Sequence, residues 1–162
     1  MSEESLGGAR ARAPLVLVAD DYPDAQWAYG LWLRRAGYRV AFASSGEEAV
    51  MLARELHPDA VIMDLCLRGS DGSTATREIR ADPAMGDIPV VAVTGYAGSE
   101  YERLAYDCGC DLFVTKTCPV ETLQSILHGL IARTEVLSSG IRLRVAEAHD
   151  GLGQEERALS TG

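Results

Sequence analysis

The chain has 162 residues, is 47% hydrophobic and carries a formal charge of -9, which suits one buried core flanked by tails. That acidic balance argues against non-specific attraction to nucleic-acid phosphates or anionic membrane surfaces, both of which reward clustered Lys and Arg. No apolar run approaches the roughly 20 residues of a membrane span, and the first residues lack a secretory hydrophobic stretch, so a soluble, cytoplasmic protein is expected.

Residues 1–13, rich in Gly, Ala and charge, read as a disordered leader. A short apolar run at 15–19 predicts a strand, and residues 24–36 predict a helix with Ala25, Ala28, Tyr29, Trp32 and Ala36 on one face before Gly37 ends it. Gly30 weakens that helix by about 1 kcal/mol relative to Ala. Trp27 and Trp32 stand five residues apart and cannot share a narrow face, so Trp32 reads as core and Trp27 as a contact surface. A second strand at 39–43 leads to Ser45-Gly-Glu-Glu48, a capping box for a helix burying Ala49, Leu52, Ala53 and Leu56 before His57-Pro58 breaks it. Strands follow at 60–63, 90–93 and 112–114. Helices are expected at 73–80, at 99–108 with Gly109 as a stop, and from Pro119 onward with Leu123, Ile126, Leu127 and Leu130 on one side.

Strands that are continuously apolar and alternate with helices imply a parallel sheet covered on both faces. Right-handed crossovers leave the flavodoxin-like order 2-1-3-4-5 as the commonest α/β arrangement at this size, with ligands at the carboxyl ends of the strands. Those ends carry Asp20 and Asp21, Ser44 and Ser45, Asp64, Thr94 and Lys116. Three converging carboxylates repel by about 4 kcal/mol per pair at 4 Å and an effective dielectric near 20. A hard divalent cation is the natural compensation, and Mg²⁺ suits a site with few carboxylates because it retains waters and takes phosphate oxygens. A carboxylate nucleophile, a metal, a lysine and a hydroxyl together outline a phosphoryl-transfer site.

Taken in order, the acidic pair Asp20-Asp21, Asp64 closing Ala-Val-Ile-Met-Asp, Asp71-Gly72, Thr94 in Val-Ala-Val-Thr-Gly and Lys116 in Leu-Phe-Val-Thr-Lys resemble the response-regulator receiver family of two-component signalling. The resemblance covers about residues 14–132. It implies a regulatory protein rather than an enzyme, with Asp64 as phosphoacceptor for a histidine kinase or phosphotransfer protein. It further implies Mg²⁺ between Asp21, Asp64 and the backbone carbonyl of Cys66, with Asp20 helping through water. Thr94 and Lys116 would bind the phosphoryl group, and Phe113 holds the position of the aromatic switch residue, although an aromatic in a core strand is also ordinary packing.

Two departures from the family pattern stand out. The proline usual after the lysine is replaced by Thr117; a cis bond there would cost about 3–4 kcal/mol, so either the bond is trans and the loop is rebuilt, or the site accepts the strain. Arg68 occupies a position where proline is common, which is expected to loosen that loop. Cys66 and Tyr96 stand at positions that, in the family the chain resembles, influence hydrolysis of the acyl phosphate, and a bulky Tyr96 is expected to hinder the attacking water.

Of the four cysteines, none shows paired C-x2-C spacing, so free thiols are expected. Cys108-Gly-Cys110 could form half a metal site or a redox pair, but a second half is missing. His57, His128 and His149 share no spacing and read as surface residues. The receiver domain is expected over 14–134 and a tail, partly helical, over 135–162, too short for a DNA-binding or catalytic output domain. Output is therefore expected through protein contact, relay to another phosphotransfer module or control of a separate enzyme, with a downstream protein target or a homodimer on the face formed by residues 97–132 as forms of contact. The competing readings are a pseudo-receiver acting without phosphorylation, which the intact acidic set disfavours, and a phosphohydrolase or flavin-binding protein on a similar sheet. The last two lack a second acid two residues from Asp64 and a phosphate-cradling Gly-rich loop after the first strand, respectively.

Overall fold

The computed structural model describes residues 12–68 and 71–138. Ten elements alternate along them: β1 (Leu15–Ala19), α1 (Pro23–Arg35), β2 (Arg39–Ala43), α2 (Gly46–Leu56), β3 (Ala60–Met63), α3 (Gly72–Ala81), β4 (Val90–Thr94), α4 (Ser99–Cys108), β5 (Leu112–Thr115) and α5 (Val120–Ser138). The five strands form one parallel sheet in the order β2-β1-β3-β4-β5, the flavodoxin-like arrangement expected. The last helix continues through residue 134 to Ser138. The expected leader, apart from its last two residues, and the tail beyond 138, with His149, lie outside the described residues.

Strand side chains alternate between faces, and the chain uses both for burial. Val16, Val18, Ile62, Val91 and Val93 pack with Leu33 of α1 and Leu123, Leu127 and Ile131 of α5. Leu17, Ala19, Val61, Met63 and Ala92 face α2, α3 and α4 through Ala49, Ala53, Ala75, Ile79 and Ala105. Strands apolar on both faces are what a doubly covered sheet requires.

The helix faces differ in part from the sequence pattern. In α1 the buried residues are Gly30 and Leu33, Tyr29, Trp32 and the C-cap Ala36 are half-buried against the core, and Ala28 is exposed. Gly30 faces inward because a Cβ there would meet Phe42 Cζ at 2.7 Å, so close packing of β2 offsets its helix cost. Trp27 is 71% exposed. In α2, Val50 is buried and Leu56 is exposed. The Ser45 hydroxyl caps α2 by accepting the Glu48 N–H at 3.1 Å, while the Glu48 carboxylate accepts from Ser44 N–H at 2.7 Å, one residue before the cap. His57 ends α2 at φ 47°, since Pro58 disfavours the right-handed helical region before it; His57 and His128 are exposed.

The cysteines are free among the described residues, and Cys108 and Cys110 lie buried with their sulfurs 3.8 Å apart. They sit at the amino end of β5, whereas the acidic residues lie at the carboxyl ends of the strands.

Candidate functional site

Backbone pairing carries three side chains just past the strand ends. Asp20 N–H donates to Ala43 O at 3.0 Å, Asp64 N–H to Ala19 O at 2.9 Å, and Lys116 N–H to Thr94 O at 2.8 Å. The register Ala19↔Met63 sets Asp20 beside Asp64. Each of these aspartates then accepts from the N–H two residues ahead through its own Oδ1: Asp20 from Tyr22 at 2.9 Å, Asp64 from Cys66 at 2.9 Å. This is the local Asx geometry that fixes a short acidic side chain against the chain.

The second oxygen of each aspartate points into the pocket, where the Lys116 ammonium lies 2.9 Å from Asp20 Oδ2 and 3.0 Å from Asp64 Oδ2. Asp20 and Asp64 are only 2% and 6% exposed, so the lysine supplies the charge that their burial demands. Burial works against the ammonium, yet its bonds to Asp20 and Asp64 outweigh that and hold its pKa above the ordinary lysine range. Beneath it, burial pushes the Tyr29 phenol up to about 12.

Asp21 completes the cluster: carboxylate oxygens of Asp20, Asp21 and Asp64 lie within 4.8 Å of one another. All-oxygen donors of this charge fit a Mg²⁺ site. Asp21 is held by Arg68, whose backbone N–H reaches Oδ2 at 3.2 Å and whose Nε lies 3.5 Å from the same oxygen. Arg68 therefore ties its loop to the acidic cluster instead of loosening it, through an N–H that a proline would lack.

Thr94 is fully buried. Its hydroxyl donates toward Cys66 Sγ at 3.9 Å and accepts from Tyr96 N–H at 3.3 Å. Tyr96 is exposed and stacks on Tyr101 of α4 with centroids 5.2 Å apart. Phe113, paired with Ala92 in the sheet, is half-buried against the core shared with α4.

No cis peptide occurs among the described residues, so the Lys116–Thr117 bond is trans. The loop closes instead through Cys118 N–H to Thr115 O at 2.9 Å and a hydroxyl pair, Thr115 with Thr117, at 2.8 Å. Lys116 reaches both carboxylates without the proline.

One supporting residue escaped the sequence reading, and a second was read only as part of a motif. Gln26 donates from Nε2 to Asp20 O at 2.6 Å and to Ser44 Oγ at 3.2 Å, joining the ends of β1 and β2. Its targets are a backbone carbonyl and a loop hydroxyl, which leave no motif. Gly72 was legible only as part of Asp71-Gly72; a Cβ there would fall 2.1 Å from Asp64 O and 2.9 Å from Leu65 Cα. Only glycine lets the start of α3 approach the phosphoacceptor candidate so closely.

A doubly wound parallel sheet with a buried aspartate pair, a neighbouring third carboxylate and a shared lysine at its strand ends defines a protein of the receiver type. The model of the response regulator receiver domain matches residues 16–128, and the chain belongs to that family, which serves two-component signalling. It is 31% identical over 117 residues to protein PilH of Pseudomonas aeruginosa, covering 72% of this chain and 97% of PilH. It is 33% identical over 122 residues to the DNA-binding dual master transcriptional regulator RpaA of Synechocystis, covering 75% of this chain but 51% of RpaA, so it spans about half that protein's length. Among solved structures, it is similar to the receiver domain of sensor histidine kinase PA1611 from Pseudomonas aeruginosa, which has a magnesium ion coordinated in its active site cleft. That match has a TM-score of 0.70 and 32% identity, and covers 74% of this chain and 98% of the other. The similarity to a response regulator from Chloroflexus aurantiacus has a TM-score of 0.72 and 29% identity, covering 75% and 100%. Among the described residues no helix is long and apolar enough to cross a membrane.

Proposed function

We propose that this protein is a cytoplasmic phosphorylation switch whose Asp64 accepts a phosphoryl group from the phosphohistidine of a histidine kinase or phosphotransfer protein. The observation that carries the reading is the state of Asp64: buried, backbone-anchored through Oδ1, and presenting Oδ2 to a lysine. That oxygen attacks phosphorus, the P–N bond to the donor imidazole breaks with its electron pair staying on that nitrogen, and the ring, already carrying a proton on its other nitrogen, leaves as neutral imidazole.

Asp21, Asp64 and the Cys66 carbonyl would hold Mg²⁺, with Asp20 acting through water; when bound, the ion offsets charge on the transferring oxygens. Lys116 turns from its carboxylate pair to the new phosphoryl oxygens. The Thr94 hydroxyl exchanges its weak bond to the Cys66 sulfur for a charge-assisted bond to phosphate. Because Tyr96 N–H bonds that hydroxyl, movement of Thr94 shifts the start of the loop into α4, and Phe113 rotates into the space released. Output follows by contact with a downstream protein, or a second copy, on the α4, β5 and α5 face around residues 97–132.

The test is incubation with Mg²⁺ and acetyl phosphate, followed by intact-mass measurement of wild type and Asp64→Asn. A gain of about 80 Da, one phosphoryl group, on the wild type alone is expected. Its absence there, or its persistence in the variant, contradicts the proposal.

A further inference from the structure

Arg68 stands at the mouth of the acidic cluster with its side chain 86% exposed, yet both its backbone N–H and its guanidinium address one atom, Asp21 Oδ2. Asp21 is the least buried of the three carboxylates, and Lys116 makes no ion pair with it, serving Asp20 and Asp64 instead. The two cations together leave the three carboxylates with one net negative charge. From this geometry we infer that Arg68 is a built-in counter-cation on Asp21 that competes with the divalent ion and sets the concentration at which the site loads. The inference rests on the proposed Mg²⁺ site and concerns this chain's own residue at its edge.

The physical case is one of exclusion. A divalent ion taking Asp21 as a ligand must displace the Arg68 contacts from Oδ2 or share that carboxylate with a positive guanidinium, and either weakens binding. An exposed ion pair is worth little and is screened by salt, so the effect is small and ionic-strength dependent. Arg68 is a positioning residue in this scheme, acting through Asp21.

The experiment is calorimetric titration of Mg²⁺ into the full-length wild type, Arg68→Ala, Arg68→Gln and Arg68→Lys, at about 0.05 M and about 0.5 M KCl, concentrations that span strong and weak screening. The Ala and Gln variants are expected to bind Mg²⁺ about two- to fivefold more tightly than wild type at low salt. The Lys variant should stay near wild type, and the difference should close at high salt. Ala and Gln variants that bind equally or more weakly, or a gain that ignores salt, overturn the inference while leaving the phosphorylation switch standing. A wild type that binds no Mg²⁺ overturns both.

Discussion

The Lys116 ammonium sits 3.0 Å from the Asp64 carboxylate across 52 positions of sequence, and the same nitrogen reaches Asp20 at 2.9 Å. One cation therefore serves two buried acids that would otherwise repel. Lys116→Met removes it without adding charge, and the variant is expected to lose about 1–2 kcal/mol of stability. Urea melts in chelator and in excess Mg²⁺ test the point: the loss should be larger in chelator, because a ligand of the folded state compensates by mass action. Equal losses in both would separate the lysine from the metal site.

Gly72→Ala places a methyl against backbone atoms of Asp64 and Leu65, and backbone cannot turn aside as a side chain can. Overpacking of this kind is expected to cost about 2–3 kcal/mol and to displace Asp64, so that acetyl phosphate no longer modifies the protein. Chemical melts and intact-mass measurement report the two effects separately.

Thr94→Val keeps the volume of a fully buried side chain while deleting its hydroxyl. The Tyr96 N–H loses its acceptor, which is expected to cost about 1 kcal/mol. The larger effect falls on chemistry: loss of a donor aimed at developing charge should slow phosphorylation at least about tenfold. A folded variant labelled at the wild-type rate would remove Thr94 from the reaction.

Burial pushes the Tyr29 phenol up to about 12, so the folded chain holds that proton more tightly than the unfolded chain. Stability from this source is fully present below the unfolded value near about 10 and is lost as pH rises through the folded one. The raised Lys116 pKa acts with the same sign. Unfolding free energy should decline above about pH 10, and Tyr29→Phe should remove part of the decline. Ultraviolet titration should show one tyrosine fewer ionising late in that variant.

The strands were readable because five runs are apolar on both faces, and the site was readable because its residues fall at the ends of those runs. Thr94 belongs to β4 and Thr115 to β5, one residue beyond each apolar stretch, because ladder hydrogen bonds continue where hydrophobicity stops. The face of α1 was harder. Ala28 counts as apolar yet is exposed, whereas Gly30, which reads as a weak point, is where Phe42 presses closest. Arg68 shows the same limit at the site, since its partner Asp21 lies 47 residues away. Long-range pairing of this kind depends on how loops meet above the sheet, and local periodicity carries no trace of it.

The Asx turns at Asp20 and Asp64 have a kinetic consequence. With one oxygen of each already immobilised by the chain ahead of it, neither acid must be gathered from a disordered ensemble when a phosphodonor arrives, and little ordering entropy is left to lose. The slow event should then be a departure rather than an arrival: Lys116 leaving its two buried carboxylates. A site assembled in advance in this way should wait on its resident lysine rather than on its acids.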